Sequence, residues 1–128
     1  MIRRLALVTA LVVAACSSSS EPPKPTTAAP ARKKDPAAAR KLIGAGAVVL
    51  DVRSTEEYGA GHLPNAANIP VDELAGRLDE AAKLTGGDSK KPVVVYCASG
   101  HRAGKAQQVL DGAGYAQVVN GGGLDDLQ

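Results

Sequence analysis

From residue 35 onward, apolar residues occur in two alternating patterns: short continuous runs, and longer segments in which they recur every three or four positions. Continuous apolar runs are typical of strands covered on both faces, whereas the spaced segments are typical of helices with one buried face. The predicted strands span residues 47–52, 66–69, 93–96 and 117–120, and the predicted helices span 36–44, 55–61, 71–83 and 103–112. Strands that alternate with helices in this way predict an α/β domain with a parallel sheet and right-handed crossovers.

Local sequence features mark where the helices begin. Asp35 stands before Pro36, which is the arrangement of an N-cap followed by proline at the first helical position. Ser54 and Glu57 are spaced as a capping box, in which each side chain accepts a hydrogen bond from the other residue's backbone N–H. Gly76 falls inside the third predicted helix, and we expect the helix to continue through it.

The first 15 residues have the pattern of an export signal. Arg3 and Arg4 precede an apolar run at residues 5–15, which is too short to span a bilayer. The run ends in Val-Ala-Ala before Cys16, which resembles a bacterial lipobox, so we expect Cys16 to be lipidated and to become the mature N-terminus. An ordinary signal peptide and a twin-arginine signal are the alternatives. Because Ser17 follows in place of an aspartate, the expected location is periplasmic, with the outer membrane favoured over the inner.

The segment from residue 16 to residue 34 is rich in Ser, Pro, Thr, Ala and Lys and has hardly any large apolar side chain. Such a composition cannot bury a core, so it predicts a disordered linker between the lipid and one domain at residues 35–128. The basic cluster Arg32-Lys33-Lys34 is predicted to be the solvated end of this linker, near the membrane.

Charge and composition exclude several classes of function. The chain has 15 basic and 13 acidic residues, and loss of Arg3 and Arg4 with the signal leaves 13 of each. With this balance, and with three tyrosines as the aromatic residues, nucleic-acid binding has little support. Two separated histidines without a Cys-x-x-Cys pair argue against a metal site. The Gly-Ala-Gly run precedes a strand, unlike a dinucleotide-binding loop, so we expect no metal and no cofactor.

The third predicted strand delivers a cysteine to its carboxyl end. The run Val-Val-Val-Tyr ends at Cys97, and a short loop leads from there to Arg102 and a helix. Backbone N–H groups of such a turn can point inward, and the helix N-terminus adds a partial positive charge. Both effects, together with Arg102, favour the thiolate form of Cys97, which is the nucleophilic form. The loop is therefore predicted to hold a reactive thiolate and to bind anions.

The spacing Cys-x-x-Gly-x-Arg from Cys97 to Arg102 resembles the active-site loop of the rhodanese family, the single-domain sulfurtransferases. Upstream segments also occur in the family's order: Val49-Leu50-Asp51-Val52-Arg53-Ser54, Glu57-Tyr58, Gly61-His62-Leu63-Pro64-Asn65-Ala66 and Asn68-Ile69-Pro70. The resemblance implies a three-layer α/β/α fold with a small central parallel sheet. It also implies a thiosulfate sulfurtransferase, in which Cys97 takes sulfane sulfur from a small anionic donor, carries it as a persulfide and passes it to cyanide or a thiol.

The resemblance also implies roles for the neighbouring residues. The residues expected to bind substrate beside Cys97 and Arg102 are Ala98, Ser99, Gly100, His101 and Arg53, with Asp51 behind them. From the residues alone, two structural roles stay open: Asp51 could cap its strand, and Arg53 could pair with Glu57 to hold the turn, a role that we favour for Arg53. His62 is predicted to pack within a turn, and residues 121–123 resemble the family's terminal glycine pair, a backbone turn.

Two other functions are compatible with a cysteine loop. Cysteine phosphatases also place a thiolate in an anion-binding loop, but they separate Cys and Arg by five residues, whereas four lie between Cys97 and Arg102. A non-enzymatic tethered module that binds a sulfur species or a partner protein is the second alternative. Sulfur gain at Cys97 would fit either sulfur-related function, whereas repeated release to an acceptor would fit the enzyme alone.

Overall fold

A computed structural model describes residues 33–128 of the 128-residue chain. The predicted signal segment, the lipidation site Cys16 and nearly all of the predicted linker lie outside the described residues. Within residues 33–128, no helix has both the length and the apolar character needed to cross a membrane.

The described residues form four strands and six helices, and at least one helix separates each strand from the next. In chain order they are α1 Pro36–Gly44, β1 Val48–Asp51, α2 Thr55–Ala60, β2 Ala67–Asn68, α3 Val71–Leu74, α4 Leu78–Leu84, β3 Val93–Cys97, α5 His101–Gly112, β4 Val118–Gly123 and α6 Leu124–Leu127. The strands pair in the order β2-β1-β3-β4, and every pair is parallel. The predicted parallel α/β sheet is therefore confirmed.

Two apolar cores lie on opposite faces of the sheet, because successive side chains of a strand point to opposite sides. Along β3, Val95 and Cys97 join one core, and Val94 and Tyr96 join the other. Helices α3, α4 and α5 cover the Cys97 face, and α1, α2 and α6 cover the Tyr96 face. The domain thus has the three layers that the sequence predicts, and β3 is buried along its whole length.

The prediction of a single helix over residues 71–83 is wrong. The structure has two short helices there, α3 ending at Leu74 and α4 beginning at Leu78. Gly76 lies in the break, and its N–H bonds only three residues back, to the Glu73 carbonyl at 3.0 Å. Glycine weakens a helix because fixing its backbone costs more conformational entropy than fixing alanine. Leu74 and Ala81 nevertheless face the core, as the spacing predicts.

The last strand is longer than predicted. β4 continues past Asn120 through the three glycines, which the resemblance assigned to a turn. Gly123 pairs with Cys97 after a register shift between Val95 and Cys97. Glycine has no side chain, so this end of β4 can lie closer to the neighbouring backbone than other residues could. β4 therefore reaches the loop that follows Cys97.

Candidate active site

The carboxyl ends of two adjacent strands bring the predicted site residues together. Asp51 at the end of β1 is in register with Tyr96, and Cys97 ends β3 one residue later. Polar groups at the carboxyl ends of parallel strands face one edge of a sheet, where α/β proteins bind ligands. The edge predicted from sequence is thus the one at which the structure places Cys97.

The loop after Cys97 is a tight backbone cradle. The Gly100 N–H donates a hydrogen bond to the Cys97 Sγ at a nitrogen-to-sulfur distance of 2.9 Å. This direction requires Gly100 in the left-handed region, with φ of 96°, immediately before α5 begins at His101. The Cys97 side chain is 0% exposed, whereas Ala98 and Ser99 are exposed. An N–H and a helix N-terminus directed at the sulfur stabilise negative charge on it.

Strand β4 supports this loop from behind. The buried Asn120 side chain donates from Nδ2 to the Gly100 carbonyl at 2.9 Å, and its Oδ1 accepts from the Gly122 N–H at 2.9 Å. A Cβ at Gly123 would overlap the carbonyl oxygen of Ala98. Sequence reasoning missed both contributions of β4. The sequence signal for this role is Asn120 itself, a polar residue that follows two valines in a buried strand where an apolar residue is expected.

Arg102 is paired with a carboxylate 45 positions away in the chain. Its Nη1 and Nη2 atoms donate to the two oxygens of Glu57 at 2.7 and 3.0 Å. Hydrogen bonds from Arg102, and then from the N-cap Ser54, lower the pKa of Glu57 to about 2. The pKa of Arg102 is raised, first by the hydrogen bonds to Glu57 and further by the nearby charges of Cys97 and Asp51. Arg102 and the thiol thus share one electrostatic environment.

Arg53 pairs with Asp51, and the predicted pairing of Arg53 with Glu57 is wrong. The Arg53 Nη2 donates to Asp51 Oδ2 at 2.7 Å and to the Gly61 carbonyl at 2.6 Å, and Arg53 is 7% exposed. The hydrogen bonds to Asp51 raise the pKa of Arg53 above its usual value. Arg53 points to Asp51 because that carboxylate is buried and needs a counter-charge, while Glu57 is satisfied by Arg102. In this position Arg53 braces the turn after β1.

Tyr96 closes the other side of the buried Asp51–Arg53 pair. The Arg53 Cζ lies 5.7 Å from the centre of the Tyr96 ring, and the Tyr96 hydroxyl accepts a hydrogen bond from the Leu63 N–H at 3.0 Å. Burial, more than any other cause, raises the pKa of Tyr96 to about 12. The residue before the thiol is therefore a neutral, fixed part of the core at ordinary pH.

The two histidines among the described residues lie in different environments. His62 stacks on Tyr58 with ring centres 3.8 Å apart, and its Nδ1 lies 2.9 Å from the Tyr58 carbonyl oxygen, as expected for a turn residue. His101 is exposed at the first position of α5. Among residues 33–128, no group of three or more His, Cys, Asp or Glu side chains is placed to hold a metal ion.

The arrangement as a whole is suited to nucleophilic chemistry at sulfur. A single buried thiol receives a backbone N–H, stands before the N-terminus of a 12-residue helix and has a guanidinium nearby. These groups stabilise a thiolate and an anion formed on it. The side chains of Ala98 and Ser99 are exposed and form the outer surface of this loop.

Comparisons with known proteins agree with this geometry. The family model described as "Rhodanese-like domain" matches residues 35–126. Thiosulfate sulfurtransferase PspE of Escherichia coli (strain K12) is 38% identical over 78 residues, which cover 61% of this chain and 71% of that protein. A tRNA uridine(34) hydroxylase of Erwinia tasmaniensis is 37% identical over 74 residues, covering 58% of this chain and only 21% of that longer protein. A solved structure described as a rhodanese with anions from E. coli has a TM-score of 0.57 at 37% identity, covering 63% of this chain and 91% of that one.

Proposed function

Because the chain belongs to the rhodanese-like domain family, we propose that it is a sulfurtransferase that carries sulfane sulfur as a persulfide on Cys97. The observation that supports the proposal most directly is the Gly100 N–H directed at the buried Cys97 Sγ. A thiolate and an anionic persulfide both need such a donor, since neither has water around it in a buried site. The similarity to a thiosulfate sulfurtransferase identifies thiosulfate as the donor to test first.

The proposed reaction has two displacement steps at sulfur. In the first, the Cys97 thiolate attacks the outer sulfur of thiosulfate, the S–S bond of thiosulfate breaks, and sulfite leaves with the bonding electron pair. In the second, cyanide or a thiolate attacks the outer sulfur of the Cys97 persulfide, the S–S bond of the persulfide breaks, thiocyanate or a new persulfide leaves, and the Cys97 thiolate is restored. Neither step transfers a proton, so no general acid or base is required. Such covalent catalysis predicts ping-pong kinetics.

The loop has to open for either step. The Cys97 side chain has no exposed surface, and a donor sulfur must come within bonding distance of the Sγ atom. The exposed residues directly after it, Ala98 and Ser99, form the outer part of the loop. The rate of sulfur uptake should therefore depend on the movement of this short segment as well as on the thiolate.

Cys97→Ser tests the proposal. A serine hydroxyl fits the same space but is not ionised at neutral pH without a base, so transfer from thiosulfate to cyanide should fall to background. The free energy of unfolding should fall by about 1–3 kcal/mol, because a buried hydroxyl replaces a thiol that packs in the core, and the protein should stay folded. The control is Ala113→Ser at the exposed far end of α5. Activity of Cys97→Ser well above background would exclude a persulfide on Cys97.

A module without turnover is the second candidate function, and the complete burial of the Cys97 thiol is the observation that favours it. Such a module would bind a sulfur species or a partner protein and would not release sulfur repeatedly. Mass analysis after thiosulfate treatment, followed by addition of cyanide, separates the two functions. Many thiocyanate molecules formed per protein would support the enzyme, and a single one would support the module.

We further propose that the chain is exported and lipid-anchored through Cys16. The support is the sequence alone: Arg3 and Arg4, the apolar run to residue 15, and Val-Ala-Ala before the cysteine. The domain would then work at a membrane surface in the periplasm, with the outer membrane favoured. Cys16→Ser should release the protein from the membrane fraction of expressing cells. A variant that stays in that fraction would contradict the lipid anchor.

A further inference from the structure

The positive charge of Arg102, the cation of the active-site loop, is neutralised by Glu57 before a sulfur donor binds. Both terminal nitrogens of Arg102 are hydrogen-bonded to the two oxygens of Glu57. The side chains of this pair are 34% and 37% exposed, so the pair lies at the surface of the site, where a donor would approach. A bidentate pair of this kind fixes the orientation of the guanidinium as well as its charge.

Glu57 is held in place independently of Arg102. The Ser54 hydroxyl and the Ser54 N–H both donate to Glu57 Oε1, at 3.1 and 3.3 Å, and the Glu57 N–H donates to the Ser54 hydroxyl at 3.2 Å. These bonds form the capping box at the start of α2. The carboxylate therefore stays beside the loop even when Arg102 moves. While Arg102 is paired with it, the pKa of Glu57 is about 2, so the side chain is ionised at neutral pH.

The charged side chains around the thiol cancel in pairs. Asp51 is neutralised by Arg53, and Glu57 is neutralised by Arg102. Ionisation of Cys97 then leaves one net negative charge in this group. Lys33 and Lys34 line a cleft on the loop. Lys34 is paired with Asp126 at 3.0 Å, and both lysines are exposed, so their charges are strongly screened by water and salt. The site is thus less favourable for a doubly charged anion than the loop and its arginine alone would suggest.

We propose that Glu57 is a specificity-determining residue that sets the charge class of the sulfur donor. Its carboxylate disfavours dianionic donors such as thiosulfate relative to monoanionic donors such as organic persulfides and thiosulfonates. The physical basis is Coulomb's law, since a fixed negative charge repels a dianion twice as strongly as a monoanion at the same position. This inference rests on the proposed sulfur transfer through Cys97.

The first test compares thiosulfate with methanethiosulfonate, in which a methyl group replaces one charged oxygen. The thiolate attacks the outer sulfur of both, and the leaving groups are sulfite and methanesulfinate. Glu57→Gln keeps the size of the side chain and can still accept bonds from Ser54 and Arg102. It should raise the ratio of kcat/KM for thiosulfate to kcat/KM for methanethiosulfonate by about two- to tenfold, as expected for one charge at close range in a partly solvated site.

Glu56→Gln is the matched control. Glu56 is the adjacent residue of α2, it is exposed, and its substitution changes the net charge of the protein by the same amount. The donor ratio of this variant should equal that of the wild type. A merely structural role of Glu57 would change both donors by the same factor and leave the ratio unchanged. An unchanged ratio in Glu57→Gln would therefore overturn the proposal.

The second test does not need sulfur transfer. Iodoacetate and iodoacetamide alkylate a thiolate by the same displacement of iodide, but only iodoacetate is an anion. Because loop opening is common to both reagents, it cancels in the ratio of their rates at Cys97. Glu57→Gln should raise the iodoacetate-to-iodoacetamide ratio by about two- to threefold over Glu56→Gln. Equal ratios in the two variants would show that Glu57 exerts no charge effect at the thiol.

The two tests separate the two proposals. If neither donor places sulfur on Cys97 of the wild-type protein, the proposed function fails, and with it any role of Glu57 in donor choice. The alkylation ratio would then still decide whether Glu57 repels anions from the thiol. If sulfur is transferred and both ratios are unaffected by Glu57→Gln, the proposed function stands and the role of Glu57 is wrong.

Discussion

At the scale of single residues, the most sensitive contact is the buried pair of Asp51 and Arg53. Removing one charge of a buried pair leaves the other desolvated and unpaired, which costs about 3–5 kcal/mol. Asp51→Asn should therefore lower the free energy of unfolding by about that amount, as measured by urea denaturation. Replacing both residues, Asp51→Asn with Arg53→Met, should recover part of the loss. If Asp51→Asn lowers the free energy of unfolding by less than about 1 kcal/mol, the Arg53 guanidinium is hydrated in the variant and the pair is not a buried one.

Arg102 should matter for donor use more than for stability. Its ion pair is partly exposed, and such pairs contribute less than about 1 kcal/mol to folding. Arg102→Ala removes the cation of the loop and leaves Glu57 uncompensated, so KM for thiosulfate should rise about tenfold, the effect of roughly 1.4 kcal/mol. Steady-state kinetics and a thermal melt measure the two effects. A variant with wild-type KM would reduce Arg102 to a residue that starts a helix.

The partner of Arg102 illustrates which contacts a sequence conceals. Arg53 and Glu57 are close in the chain, and the sequence predicts that they pair to hold the turn after β1. Arg53 precedes α2, however, and turns back to the end of β1. Glu57 meets Arg102 only because β1 and β3 are neighbours in the sheet. The capping box of Ser54 and Glu57 was predictable because it is local, and the structure confirms it.

At the scale of secondary-structure elements, the end of β4 should be intolerant of side chains. A Cβ at Gly123 would overlap the backbone carbonyl of Ala98, and backbone atoms cannot move aside as a flexible side chain can. Gly123→Ala should cost about 1–3 kcal/mol and should lower sulfur transfer, because the loop is displaced. Gly112→Ala is the control, since nothing lies within 4 Å of its added Cβ. Equal stability of the two variants would contradict a close approach of β4 to the loop.

Elements were predictable where the pattern of apolar residues is strong and local. β3 is a continuous run of buried residues, and α1 and α2 begin at clear N-caps, Asp35 and Ser54. The break after Leu74 is not predicted because the apolar spacing continues across Gly76. The prediction gives this spacing more weight than the entropic cost of a glycine within a helix. The extension of β4 to Gly123 was missed because three glycines have low strand propensity, and only pairing with β3 keeps them extended.

At the scale of the whole molecule, acid stability should depend on Glu57. Its pKa is lowered from 4.5 to about 2 in the folded protein, so the unfolded chain binds more protons between these values. The stabilisation by ionised Glu57 is therefore complete above about pH 4.5 and is lost as the pH falls toward 2. In urea denaturation, the difference between wild type and Glu57→Gln should be constant near neutral pH and smaller near pH ~3. A difference that grows with acidity would contradict this assignment.

The order of the layers was predictable because β3 and most of β1 are buried on both faces, which requires helices above and below. The two cores meet this requirement with mainly Val, Leu, Ile and Ala. The supports of the site, by contrast, join residues that are far apart in the chain, such as Asn120 and Gly100. No local pattern encodes such a contact, and it appears only when β4 lies beside β3.

The cradle around Cys97 is made of backbone, and this has a consequence for evolution. Ala98 and Ser99 are exposed, while the group that contacts the sulfur is the N–H of Gly100. Mutational drift at the two exposed positions can therefore reshape what docks on the loop and leave the chemistry unchanged. A selection library randomised at these positions alone should yield folded variants with altered acceptor preference, whereas randomising Gly100 should yield almost none.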